Sequence, residues 1–222
     1  MSQQLTFDWP VGVSLGAADF FVSDANAAAY AMLTAPEAWP EGKLVLVGPE
    51  GSGKSHLARM VETQIGAVRV SSEALGPEVR ADAPVIVEDA DRLPRDREEV
   101  LFHLHNNLRS AGQLLLMTAR RPPARWDVAL PDLASRVQAT ATVEIAEPDD
   151  ALLQVLILKL FSDRQILPPP DLAAYLAPRI ERSFAAAAAL VERLDRAALA
   201  EKRPITKALA RGLLDNGQPG GG

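Results

Sequence analysis

Cysteine is absent from all 222 residues, which excludes a disulfide framework and any thiolate metal site. Aromatic residues are scarce at 5%, so the core has to be built from aliphatic side chains. No apolar run approaches the roughly 20 residues that cross a bilayer, and the first residues lack the basic-then-apolar pattern of a secretory signal. These absences predict a cytoplasmic protein with no membrane partner. Net positive charge is lacking too: 23 Lys and Arg against 29 Asp and Glu leave −6 at neutral pH. A protein that clamps DNA unaided usually carries a basic face, so the balance argues for protein partners and little direct DNA binding. What is present is ordinary: 48% hydrophobic and 23% charged residues, enough for one domain of common size and a small appendage.

One stretch organises the rest. Gly48-Pro49-Glu50-Gly51-Ser52-Gly53-Lys54-Ser55 fits G-x-x-x-x-G-K-[ST], the phosphate-binding loop, at every fixed position. The apolar run Leu44-Val45-Leu46-Val47 before it reads as a buried strand, and His56-Leu57-Ala58-Arg59-Met60 after it continues as a helix. Gly51 and Gly53 let the backbone turn with its amides inward, toward a β-phosphate at a helix N-terminus. Lys54 would reach the β- and γ-phosphates and the Ser55 hydroxyl would ligate Mg²⁺. The expected cofactors are therefore ADP or ATP with Mg²⁺.

Later segments fit the same plan. Pro84-Val85-Ile86-Val87-Glu88-Asp89 is a strand ending in two acids, the Walker B pattern. Glu88 would hold Mg²⁺, and Asp89 would orient the attacking water. Residues 97–110 read as a helix, stopped by Ala111-Gly112. His103 and His105 lie two apart on it, point away from each other, and so do not form a metal pair. The strand 113–118 ends at Thr118, a candidate sensor of the γ-phosphate, and Arg120 and Arg121 after it read as surface charges. Arg136 follows Leu130-Pro131-Asp132-Leu133-Ala134-Ser135, beside a last strand at 141–145. An arginine there is suited to reach a neighbouring subunit's nucleotide, or to form a salt bridge within its own fold.

Alternating strands and helices predict an α/β domain with a five-stranded, mostly parallel sheet between helices. Glu147-Pro148-Asp149-Asp150 marks a boundary, after which everything reads helical. The expected organisation is a flexible tail at 1–16, an α/β core at 17–147, a small all-helical lid at 148–214 and a disordered tail at 215–222. In the first tail Gln4-Leu5-Thr6-Phe7 stands out, because a short extended peptide of this type can anchor in a partner's apolar pocket. Ser23 or Asp24 is the expected cap of the first helix.

Taken together, residues 21–26, the phosphate loop, and residues 85–93, 118–123 and 130–136 resemble AAA+ ATPases of the DnaA clade. Within it the chain is more similar to the Hda-type regulators of replication initiation. The Gln4, Leu5 and Phe7 peptide is similar to their clamp-binding peptide. The chain also ends after the lid, without a helix-turn-helix domain. This resemblance implies a nucleotide-binding regulator that works with the DNA polymerase sliding clamp to stimulate ATP hydrolysis by DnaA. By the same resemblance Arg136 is an arginine finger acting in trans, and Asn26 lies near the adenine. Two departures imply weak hydrolysis by the chain itself. Glu88 stands where DnaA has aspartate, and Ala185 stands at the lid's sensor arginine, with Arg182 one turn earlier as its substitute. Two other readings remain: an autonomous AAA+ ATPase or remodeller assembling with copies of itself, and a DnaA-like initiator.

Overall fold

The computed structural model describes residues 15–16 and 20–215. Gln4, Leu5, Phe7 and the tail from 216 lie outside them. Seven strands and eight α-helices are present among the described residues. Strands β1 (Leu15–Gly16) and β2 (Phe20–Phe21) form a short antiparallel ribbon, so the end of the segment assigned to the tail is strand.

The main sheet contains β3 (Lys43–Val47), β4 (Val68–Ser71), β5 (Val85–Glu88), β6 (Leu115–Ala119) and β7 (Thr142–Glu144) in the order β4-β5-β6-β3-β7. All four pairings are parallel, as expected for strands linked by helical crossovers. The central strands are buried on both faces, which is why they read as unbroken apolar runs rather than alternating ones. Their residues still divide by parity. Leu44, Leu46, Ile86 and Leu116 pack on one side with helices α1 (Ala27–Thr34) and α2 (Lys54–Ile65). Val45, Val47, Val85, Val87, Leu115 and Met117 pack on the other with α3 (Glu98–Ala111) and α4 (Pro131–Ala139).

Glycines close two of these helices. Gly66 and Gly112 take left-handed φ of +64° and +66° at the C-caps of α2 and α3, a conformation that costs glycine least. The first helix starts later than its sequence suggests. Its N-cap is Asn26, and the Asn26 Oδ1 accepts from the Ser23 N–H at 2.9 Å. Residues 23–26 are thereby held as a turn, and neither Ser23 nor Asp24 can cap.

Helices α5 (Asp150–Asp163), α6 (Leu172–Leu176), α7 (Phe184–Glu201) and α8 (Lys207–Asp215) form the lid. Asp149 caps α5 through the Leu152 N–H at 2.7 Å, and Ser183 caps α7 through Ala186 at 3.0 Å. The lid has its own core of Leu153, Ile157, Phe161, Leu172, Leu176 and Leu194. In the alanine run, Ala187 is fully buried in that core, where a small side chain allows close helix approach. Asp215, assigned to the tail, is the last residue of α8.

Candidate functional site

Residues 48–53 connect β3 to α2 and form the floor of the site. Gly51 and Gly53 have φ of +77° and +90°, which side chains rarely adopt. Gly48 is excluded from larger residues for a different reason: a Cβ there would lie 2.7 Å from Ser52 Oγ and 3.1 Å from Ile145. The sequence pattern therefore codes a tight loop whose first glycine allows close approach and whose later ones allow the turn. Lys54 sits at the first position of α2, where its ammonium donates to the Gly48 and Pro49 carbonyls at 2.8 and 2.9 Å. Burial lowers its pKa, and the negative charge of Asp89 is the largest influence opposing that shift.

The strands beside the loop bring the acids to the same end. Glu88 and Thr118 lie two residues beyond Ile86 and Leu116, so by strand parity both face the α2 side. Asp89 sits at a left-handed φ of +53° just after β5, and its N–H donates to the buried Thr118 hydroxyl at 3.1 Å. Glu88 is held sideways: its Oε2 accepts from Arg69 Nη1 at 2.7 Å, while its Oε1 is buried and has no partner among the described residues.

Two residues that the sequence reading left out of the site belong to it. Arg120, just beyond β6, reaches back to the phosphate loop, with its Nη1 2.5 Å from Glu50 Oε2. Its backbone N–H donates to Asp91, whose side chain is buried and which also faces Arg121 at 3.6 Å. Because β6 lies directly beside β3, residues 70 apart in sequence meet over the loop. The available signal was a pair of arginines immediately after a strand that ends in a sensor residue.

Asn26 is fully engaged by its own segment. Besides accepting from Ser23, its amide donates to the Phe21 carbonyl at 3.0 Å, and the residue is buried. It thus shapes the 21–26 turn. The Phe20 ring stacks between Tyr30 and His56, at 5.8 and 5.6 Å, and lies against Gly53. His56 therefore ties this turn to the start of α2, while Ser55 beside it is exposed. From the lid, Phe184 comes close to Gly51: a Cβ added at Gly51 would lie 3.3 Å from the Phe184 Cβ. Arg182 pairs with Asp150 at 3.1 Å, linking the starts of α5 and α7, and Ala185 is exposed.

Arg136 is exposed on α4, on the opposite face of the sheet from α2. Its guanidinium has no hydrogen bond or ion pair among the described residues, and the Thr140 hydroxyl donates to its carbonyl. Its charge is felt by Lys43 and His105, and Lys43 begins β3, the far end from the phosphate loop. The strand from Lys43 to Val47 places about 13 Å of backbone between them. This arginine stands away from its own subunit's loop.

A parallel sheet in the order β4-β5-β6-β3-β7, a phosphate loop after the strand next to the edge and a helical lid define the AAA+ P-loop architecture. Solved structures with that fold include domain III of the Thermotoga maritima replication initiation protein DnaA. It is similar over 89% of this chain and 94% of that chain, at 18% identity and a TM-score of 0.70. AMPPCP-bound DnaA from Aquifex aeolicus is similar over 79% of this chain at 17% identity and a TM-score of 0.64; the match spans 63% of that initiator. Thermotoga maritima RuvB, a Holliday junction branch migration motor, is similar over 86% of this chain and 66% of its own, at 17% identity and a TM-score of 0.58. No protein-family model matches the chain.

The residues fit a nucleotide's phosphates. The Ser52 hydroxyl is buried inside the loop with no partner among the described residues, and the loop's glycines leave space where a Cβ would intrude. For a divalent cation the donors on offer are the exposed Ser55 hydroxyl and the orphaned Glu88 Oε1. No cluster of three acidic or histidine side chains that could hold a metal occurs among the described residues. No described helix is long and apolar enough to cross a membrane.

Proposed function

We propose that this protein is a nucleotide-binding regulator that, together with a sliding clamp, stimulates ATP hydrolysis by the replication initiator DnaA and so limits re-initiation. The observation that carries the reading is the exposed guanidinium of Arg136, unpaired among the described residues and remote from its own loop. The fold shared with DnaA domain III supports docking between like domains, the arrangement in which such an arginine meets a neighbour's nucleotide.

In this reading the loop 48–55 holds ADP or ATP through its backbone amides, Lys54 and the Ser52 and Ser55 hydroxyls. Ser55 and the one free oxygen of Glu88 would hold Mg²⁺ only weakly; when bound, the ion would supply charge neutralisation at the phosphates. Phe20, Tyr30 and His56 form the wall, with Asn26 fixing the turn that carries it. Thr118 and Asp89, hydrogen-bonded to each other, align the γ-phosphate end, and Arg182 joins from the lid. The chain's own hydrolysis is weak, because Glu88 is shared with Arg69. In the complex, Arg136 enters the initiator's site, where its planar fork neutralises charge on the transferring phosphoryl group. Such a residue is worth about 10³–10⁵ in rate. Gln4, Leu5 and Phe7 dock on the clamp and bring the regulator to DNA without strong DNA contacts of its own. The site of action is the cytoplasm.

The test is hydrolysis by ATP-loaded DnaA on clamp-loaded DNA. Wild type stimulates it; Arg136→Ala loses at least about 10²-fold of the stimulation while keeping its affinity for ADP. Removing residues 4–7 abolishes clamp binding alone. Full stimulation by Arg136→Ala refutes the proposal.

A further inference from the structure

We propose that Arg69 is a positioning residue that competes with the divalent cation for Glu88, so that the site retains its nucleotide with little help from Mg²⁺. The inference rests on the nucleotide-binding reading above and concerns how that site is regulated.

Arg69 lies on β4 and bridges two carboxylates from different elements. Its Nε donates to Glu62 Oε2 on α2 at 2.7 Å, and its Nη1 donates to Glu88 Oε2 on β5 at 2.7 Å. β4 pairs with β5 so that Ser71 stands opposite Glu88, and Arg69, two residues back, shares its face. The Arg69 and Glu88 side chains are 27% and 16% exposed, so solvent does not fully screen the pair. The hydrogen bonds to Glu62 and Glu88 raise the arginine's pKa further, which leaves it charged at every working pH.

A cation approaching Glu88 therefore meets a carboxylate whose charge is already countered. One oxygen is taken, and only the buried Oε1 is free. To use both oxygens the cation must displace a guanidinium fixed from two sides. The glutamate makes this geometry reachable: an aspartate at 88 would hold its carboxylate about 1.5 Å short, one carbon–carbon bond. Glu62 adds a structural link. It lies on the helix that begins at Lys54, so the bridge ties the phosphate-binding helix to the acid-bearing strand without a metal between them.

The experiment is equilibrium binding of a fluorescent ADP analogue to the full chain, with millimolar Mg²⁺ or with EDTA. Wild type should lose less than about threefold in affinity when the metal is removed. Arg69→Met and, independently, Glu88→Asp should each lose about tenfold or more, because both free a carboxylate for the metal. Electron paramagnetic resonance of Mn²⁺ gives a second readout: the wild-type ADP complex should bind Mn²⁺ no more tightly than free ADP does. A tenfold metal dependence in wild type overturns the inference. So does a Glu88→Asp protein that binds ADP as independently of metal as wild type. Failure of wild type to bind ADP in either buffer instead overturns the nucleotide reading, and the inference falls with it.

Discussion

Replacing His105 by glutamine should flatten part of this protein's acid sensitivity. His105 lies on α3 at 3% exposure, and its Nδ1 is 3.4 Å from the ammonium of Lys43, itself buried at the start of β3. Nε2 is buried without a partner among the described residues. Burial first, then the charges of Lys43 and Arg136, push its pKa down to about 4, against the partial opposition of Asn106 and Glu41. The native state therefore keeps the ring neutral while the unfolded chain takes up a proton near pH 6.5. Between those values the unfolded state binds more protons, so stability falls as pH drops from about 6.5 and the loss is complete below about 4. The separation corresponds to roughly 3 kcal/mol. Glutamine keeps an acceptor for Lys43 but cannot titrate. Urea unfolding of wild type and His105→Gln, followed by circular dichroism at pH 7, 5.5 and 4, isolates the effect from the carboxylates common to both. Wild type should lose about 3 kcal/mol more than the variant between pH 7 and 4. Stability curves that stay parallel to within about 0.5 kcal/mol would refute the reasoning, because the imidazole would then be protonated without cost in the folded protein.

Glu50→Gln should tighten binding of ADP and ATP by about two- to fivefold, more at low salt, since it removes an exposed carboxylate from the phosphate loop and releases Arg120. Titration with fluorescent nucleotide measures this, and weaker binding would show that the Arg120 bridge supports the loop rather than competes with phosphate. Phe161→Ala should cost about 3–5 kcal/mol, because the ring is fully buried in the lid core. Hydrogen exchange should show α5 and α7 losing protection while β3, β5 and β6 keep theirs. Equal loss in the sheet would mean that lid and core unfold as one unit.

The strands were legible because each buried one is a short apolar run, and the loop because its fixed positions are contiguous. The parallel five-stranded sheet and the separate helical lid follow the sequence expectation, and the same architecture recurs in DnaA domain III. The turn before α1 was misread because Asn26, Ser23 and Asp24 all suit a cap. Only the packing of Phe20 and Phe21 selects Asn26, through the Phe21 carbonyl that its amide needs. Arg120 was read as a surface charge because nothing local marks Glu50 as its partner.

By itself the sequence determined the nature of each local segment: where amides can line a phosphate loop, which runs are buried, where helices stop. These depend on neighbouring residues and on backbone sterics, so the one-dimensional pattern carries them. Only the tertiary structure decided which polar side chains meet. Arg69 on Glu88, Arg120 on Glu50, Lys43 against His105 and the solitary exposure of Arg136 all depend on strand order and on the face each residue takes. Those partners lie 19 to 70 residues apart, and a contact at such separation exists only once the sheet has set its register.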